Sequence, residues 1–291
     1  MKALIFGNLT IDHNLINGLS ITAPGGASFY TARTLSNLNV KTTIISPYGE
    51  DFLKKYLPKT IFFPKKALAN KTLIFRNIYQ DGKRKQTVDN IKNASLTSIQ
   101  HIEANLLTDN DIVLITPILN NISPAEITKL ISRSSSSLKV LLPQGFFRKK
   151  INKEIKTVSC NMPGNIFKLF DIIVVSEKDC QKIDYLAEKW GRNKTIAVIT
   201  RGEKNATVYH QGRKNEYPSF NVNKIKDETG AGDIFTAAFA YAFFKSRKID
   251  QAVNFAHSAA ALSLPLLPKE LKYGLEEVLG FAAYNGRNIN I

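Results

Sequence analysis

At 291 residues the chain exceeds the usual size of one domain, yet α/β folds of this length are often a single unit. A hydrophobic fraction of 44% supplies a large core and excludes a disordered chain, while the apolar runs stop far short of the roughly 20 residues of a membrane span. The net charge of +16 admits polyanionic ligands, but basic clusters at 54–55, 65–66, 82–85 and 148–150 never recur at the spacing of a recognition helix, so solvated faces and no specific nucleic acid are expected.

The N-terminal segment lacks the long apolar region and small-residue cleavage site of a secretory signal, which leads to the expectation of a cytoplasmic protein without membrane association. Residues 3–7, ALIFG, read as a buried strand ending at Gly7-Asn8. A polar, alternating piece follows to residue 26, then a helical pattern over 27–38 and a strand at 41–46 with turn chemistry behind it. Residues 71–90 alternate apolar and polar on both sides of Asp81-Gly82, which is a hairpin signal.

From residue 97 the rhythm changes. Short β-branched runs at 111–116, 139–144, 171–176 and 195–200 are separated by helical patterns such as 123–133 and 177–190. Strands alternating with helices predict a mostly parallel sheet covered on both faces. The run at 206–210 follows too closely for a helix to intervene, so it pairs as a hairpin with 195–200. Helices are predicted at 233–245, 248–263 and 274–283, and the serine run at 132–137 is a helix-to-strand loop. Cys160 and Cys180 have no CxxC partner or His tract, and they read as reduced, inert thiols rather than zinc ligands.

Residues 224–244, KIKDETGAGDIFTAAFAYAFF, place a lone carboxylate, Asp233, directly behind Gly230, Ala231 and Gly232 and at the start of a small-residue helix. A helix N-terminus offers unpaired N–H groups and partial positive charge, and glycines there let a phosphate approach the backbone. Asp233 is then either a helix cap or a base that takes a proton from a nucleophile attacking that phosphate.

This stretch resembles the C-terminal signature of the ribokinase-like (PfkB) family of sugar and nucleoside kinases, D-T-x-G-A-G-D followed by a small-residue helix. The resemblance continues in GNLTID (7–12), PGGASFYTARTLSNLNV (24–40), PYGEDF (47–52), VITRGEKNATVY (198–209) and FAHSAAALS (255–263). It implies one ribokinase-like kinase domain over 1–291: a three-layer α/β/α unit with a mostly parallel central sheet and a small β-sheet lid from about 10–22 and 70–90. It further implies Asp233 as catalytic base with Gly230, Ala231 and Gly232 as the anion hole. Asp12, Gly25 and Gly26 would hold substrate, and Thr200, Arg201, Gly202, Thr229 and His257 would hold the nucleotide. Asp179 and Glu177 would organise Mg2+. The implied reaction is ATP-dependent phosphorylation of a hydroxyl on a small polyol, that is, a sugar, cyclitol or nucleoside. The resemblance also admits a monovalent cation and a homodimer formed through the β lid. A catalytically inactive ligand-binding or regulatory relative is the alternative.

Several positions depart from the family pattern. Asn39 and Asn205 stand for glycines, and both are expected at positive φ, which Asn enters more readily than other non-glycine residues. Glu228 replaces Thr. Tyr30 stands where the family has a substrate-side Asn, which argues against ribose and resembles the divergent inositol-kinase branch. In SEKD (176–179) Ser176 replaces Asn and Asp179 replaces Glu; a serine cap opening an acidic helix turn is an equal reading of those residues. Arg201 has two readings, an ATP phosphate or a surface carboxylate, and Arg148 reads as solvated with phosphate or substrate contact as the alternative.

Overall fold

The computed structural model describes residues 1–16, 18–80, 83–96, 98–134 and 137–291. In chain order, β1 (Lys2–Gly7) is followed by β2 (Thr10–Ile16), β3 (Leu19–Gly25), helix α1 (Ala27–Asn37), β4 (Lys41–Ile45) and β5 (Thr60–Phe63). Next come β6 (Ile74–Gln80), β7 (Lys83–Asp89), the single turn α2 (Ala104–Leu107), β8 (Ile112–Thr116), α3 (Pro124–Ser132) and β9 (Leu138–Leu141). The hairpin β10 (Arg148–Ile151) and β11 (Glu154–Thr157) precedes α4 (Gly164–Phe167), β12 (Ile172–Ser176), α5 (Ile183–Trp190), β13 (Ile196–Thr200), β14 (Asn205–His210) and β15 (Arg213–Pro218). Three helices close the chain, α6 (Ala231–Ser246), α7 (Ile249–Ser263) and α8 (Leu275–Tyr284).

Among the described residues, the large sheet has the order β15-β14-β13-β12-β9-β8-β1-β4-β5. Seven strands from β13 to β5 run parallel, and β14 and β15 close one edge antiparallel. Strands buried on both faces read as continuous apolar runs, and here alternate residues serve opposite layers. Ile5, Leu114, Val140, Val174 and Val198 pack beneath α1, α6 and α7. Leu4, Phe6, Val113, Ile115, Leu141 and Ile173 pack beneath α3 and α4, and Val175, Ala197 and Ile199 beneath α5. Alanines 237, 238, 240 and 242 on α6 and 252, 256 and 259 on α7 are all fully buried, which lets these two helices approach closely. Phe239 fills the space between them at 0% exposure, a burial worth about 1.5–3 kcal/mol. The three-layer α/β/α architecture matches the expectation.

A second sheet, order β10-β11-β7-β6-β2-β3, lies beside the large one. β2 and β6 pair in parallel, setting Asp12 beside Phe75 and Asn14 beside Asn77. β7 adds Val88 and Gln86 to the same two rows. The sequence expectation covered β2, β3, β6 and β7; the Asp81-Gly82 turn itself lies outside the described residues. The hairpin β10–β11 was read only as a basic cluster. It leaves the large sheet after a 3-10 turn at Pro143–Phe147 and joins the small sheet, where Val88 N–H donates to Lys153 O at 3.0 Å.

Two expectations are corrected. Asn39 is left-handed as expected (φ 59°), but Asn205 begins β14 in extended backbone, and Gly202 (φ 59°) takes the left-handed position of that turn instead. The helix predicted over 177–190 begins only at Ile183, because Asp179 folds back to accept from Ser176 N–H at 3.0 Å and closes a turn. Among the described residues, no helix is long and apolar enough to cross a membrane.

Candidate active site

Ligands of open α/β sheets bind beyond the carboxyl ends of the parallel strands. There the chain leaves β1 toward β2, β12 toward Asp179, and β13 toward Gly202. Helix α6 begins at the same end. Its N-cap is Gly230 at φ 80°. A Cβ at this position would lie 2.3 Å from Tyr30 Cγ, so both the backbone and the ring require glycine. Tyr30 is 2% exposed and packs edge-on against Phe29, with ring centroids 5.2 Å apart. The phenol that stands for the expected amide therefore supports the glycine turn from below.

Ala231 N–H donates to Glu228 O at 3.2 Å, and the first i→i−4 bond of the helix is Ile234 to Gly230 at 2.8 Å. Among the described residues no backbone carbonyl accepts from Gly232 or Asp233 N–H. A Cβ at Gly232 would meet no atom within 4 Å, so open space lies beside these two donors. Asp233 is the third residue of α6. Gly230 is the cap, and no side chain caps this helix, which removes the capping role for Asp233.

Asp233 is 9% exposed. Burial pushes its carboxyl up from 3.8 to about 7; Arg148 opposes the rise, while Asp179 and Asp12 add to it. The folding thus gathers four charges from α6, β10, the turn behind β12, and β2. Asp12 is 5% exposed and accepts from Thr10 Oγ1 at 2.6 Å. A Cβ on Gly25 would lie 2.2 Å from Asp12 Oδ2, and one on Gly26 (φ 85°) would lie 2.5 Å from Asn8 O. The glycine pair makes room for the carboxylate and the β1–β2 turn.

The donor-side residues are more scattered. Arg201 is held by Glu177 at 3.4 Å, by Thr207 Oγ1 at 3.0 Å, and by Asp184. Of its two readings the structure shows the carboxylate one, and the same contact engages Glu177. Thr200 Oγ1 donates to Val175 O at 3.4 Å, and Thr229 N–H donates to Asp227 Oδ1 at 2.8 Å. His257 is 7% exposed and lies edge-on to Phe235. Burial, helped by Arg287, lowers it to about 4, so the imidazole is neutral.

Two residues escaped the sequence reading, and a third was weighed on both sides. Arg148 reads from the sequence as solvated, with a phosphate or substrate contact as the alternative, and in the structure its charge lowers the proton affinity of Asp233. Arg287 stacks 3.9 Å above the Phe220 ring and bonds Asn254 Oδ1 and Pro218 O. Asp227 is buried with its Oδ2 lacking any hydrogen-bond partner among the described residues, and burial raises its carboxyl. Asp227 had a visible signal, since it opens the D-E-T-G-A-G-D stretch; Arg287 had none.

A glycine-hinged helix terminus with a buried carboxylate, at the carboxyl ends of a parallel sheet beside a small second sheet, defines a small-molecule kinase of ribokinase-like fold. Residues 21–265 match the model of the pfkB family carbohydrate kinases. The chain belongs to that family, and it is a carbohydrate or nucleoside kinase by membership. It is 24% identical over 269 residues to the cytidine kinase of Thermococcus kodakarensis, covering 87% of this chain and 92% of that one. Among solved structures, a pyrophosphate-dependent kinase of the ribokinase family superposes with a TM-score of 0.76 at 22% identity, covering 93% of this chain and 99% of the other. Fructokinase from Xylella fastidiosa with bound ATP does so with a TM-score of 0.75 at 16% identity, covering 98% and 99%. At these identities the structural likenesses establish the fold.

Proposed function

We propose that the chain transfers the γ-phosphoryl group of ATP to a hydroxyl of a small polyol, with Asp233 as the base. One observation carries this reading: a buried carboxylate that caps nothing, raised to about 7, stands beside open N–H donors at a helix N-terminus. At neutral pH a useful fraction of Asp233 is ionised and can take the proton of a hydroxyl as that oxygen attacks phosphorus. The Gly232 and Asp233 N–H groups, with the partial charge of α6, stabilise negative charge on the phosphoryl oxygens. Asp12 orients the polyol, and the small sheet acts as a lid that excludes water.

The residues fit a water-rich Mg2+ site better than a protein cage. Among the described residues no group of three or more acidic, His or Cys side chains could hold a metal, and Glu177 is engaged by Arg201. Asp179 would hold the ion through water together with donor phosphates, as Mg2+ commonly is held. When bound, it neutralises phosphate charge. Asp227 Oδ2, buried with no hydrogen-bond partner among the described residues, suits a monovalent cation, and Asp227 is itself anchored by its N–H donating to Leu264 O at 3.3 Å.

The test is ADP release from Mg-ATP over ribose, fructose phosphates, inositols and nucleosides, with pyrophosphate as a second donor. Release that depends on an added acceptor and vanishes in Asp233→Asn supports the reading. Tight binding of one acceptor with no turnover from either donor makes the chain a binding protein.

A further inference from the structure

The small sheet carries a row of amides that no signature motif accounts for. Asn14 on β2 is 1% exposed and Asn77 on β6 is 2% exposed. Gln86 Nε2 on β7 donates to Asn77 Oδ1 at 2.7 Å, and Asn77 Nδ2 donates to Asn14 Oδ1 at 2.8 Å. The bonds run in one direction across three strands, so each polarises the next. The relay ends on Asn14 Nδ2, a buried donor with no hydrogen-bond partner among the described residues. Buried polar groups are nearly always paired, and an exception of this kind calls for an acceptor.

The place of this donor says what acceptor it suits. Asn14 lies on the same face of β2 as Asp12, two residues away, and the side chains of alternate residues are about 6.5 Å apart along a strand. One face thus offers an acceptor-only carboxylate and a donor at a spacing that suits hydroxyls set across a six-membered ring. The apolar neighbours on that face, Phe75 and Val88, are packed with Ala27, Leu73, Ala94, Ile118 and Leu119. Neither ring nor branch is left as a platform for a nucleobase, which needs an aromatic or apolar wall.

We propose that the Asn14–Asn77–Gln86 row is a hydroxyl-reading strip that selects a compact ring polyol, of the cyclitol or hexose type, over a nucleoside. This inference rests on the small-polyol kinase reading above and narrows its substrate class.

The double variant Asn14→Leu/Asn77→Leu tests it. It replaces both buried amides together by apolar groups of similar volume, a change that is often neutral or stabilising, and leaves half-buried Gln86 able to reach water. Calorimetric titration with myo-inositol, D-fructose and cytidine, on wild type and variant, reads the outcome. The wild type should bind myo-inositol or fructose and not cytidine, and the choice between these two polyols tells a cyclitol from a hexose site. The variant should keep its melting temperature and lose ring-polyol affinity by at least about tenfold. Asn14→Asp is the second probe, because in its ionised form it keeps an acceptor for Asn77 Nδ2 and puts a negative charge in place of the terminal donor; the same loss is expected. Preference for cytidine, binding of none of the three, or full polyol affinity in either variant overturns the proposal. A lower melting temperature with intact affinity overturns it too, since the row is then only a brace between strands. Polyol binding that the variants lose, without turnover by the wild type from either ATP or pyrophosphate, overturns the kinase reading and leaves the strip standing.

Discussion

Replacing Asp233 with asparagine should improve the fold and destroy the catalyst. The carboxyl moves from 3.8 to about 7 on folding, which corresponds to about 4 kcal/mol between its two protonation states. Because the folded value lies above the unfolded one, this contribution is fully present below about pH 4 and is lost as pH rises through about 7. Asparagine has the same shape and does not titrate. Its stability should therefore match that of the wild type in acid and exceed it above neutrality by up to about 4 kcal/mol. Urea denaturation at about pH 5, 7 and 9 measures the difference, which should widen across that span. Turnover in the same samples should fall at least about 100-fold, the usual size of a general-base contribution. A stability difference that stays flat with pH refutes the buried, titrating carboxylate. Near-normal turnover refutes the base.

The charge of Arg148 lowers the proton affinity of Asp233, so Arg148→Met should shift the acid limb of the kcat profile to higher pH; an unmoved limb would separate the two residues. Gly230→Ala should destabilise by more than the ~1–2 kcal/mol of a left-handed backbone, because the new methyl also meets the Tyr30 ring, and in a melting experiment Gly230→Ala/Tyr30→Ala should lose less stability than the two single variants summed. Exchanging potassium for a bulky organic cation should reduce turnover if Asp227 holds a monovalent ion, and Asp227→Asn should remove the dependence on the small cation.

The parts of the fold that were legible are those where burial writes itself into composition. β8, β12 and β13 are short apolar runs rich in β-branched residues because both of their faces are covered. β10, β11 and β15 were missed for the opposite reason. RKKI, EIKT and RKNEYP lie near sheet edges, where charged residues are favoured and no apolar alternation is required. At the site, Asp233 and its glycines were visible because a left-handed turn packed on the Tyr30 ring and opening a helix tolerates few residue types. Arg148 was named as an alternative phosphate or substrate contact but read as solvated, because its neighbours come from distant strands and in the sequence it sits in a basic run. Tyr30 was noticed but placed on the substrate side, since nothing in the sequence shows that its ring meets Gly230.

The hairpin β10–β11 extends the small sheet on the edge opposite β3. The chain passes between the two sheets several times, and the passage after Pro143–Phe147 brings in this hairpin, whose turn is held within the small sheet where Val88 N–H donates to Lys153 O. Arg148 is the first residue of that arm. This arm of the small sheet thus starts at the positive charge that acts on Asp233, so a shift of the small sheet would change the proton affinity of that carboxyl through one short length of chain.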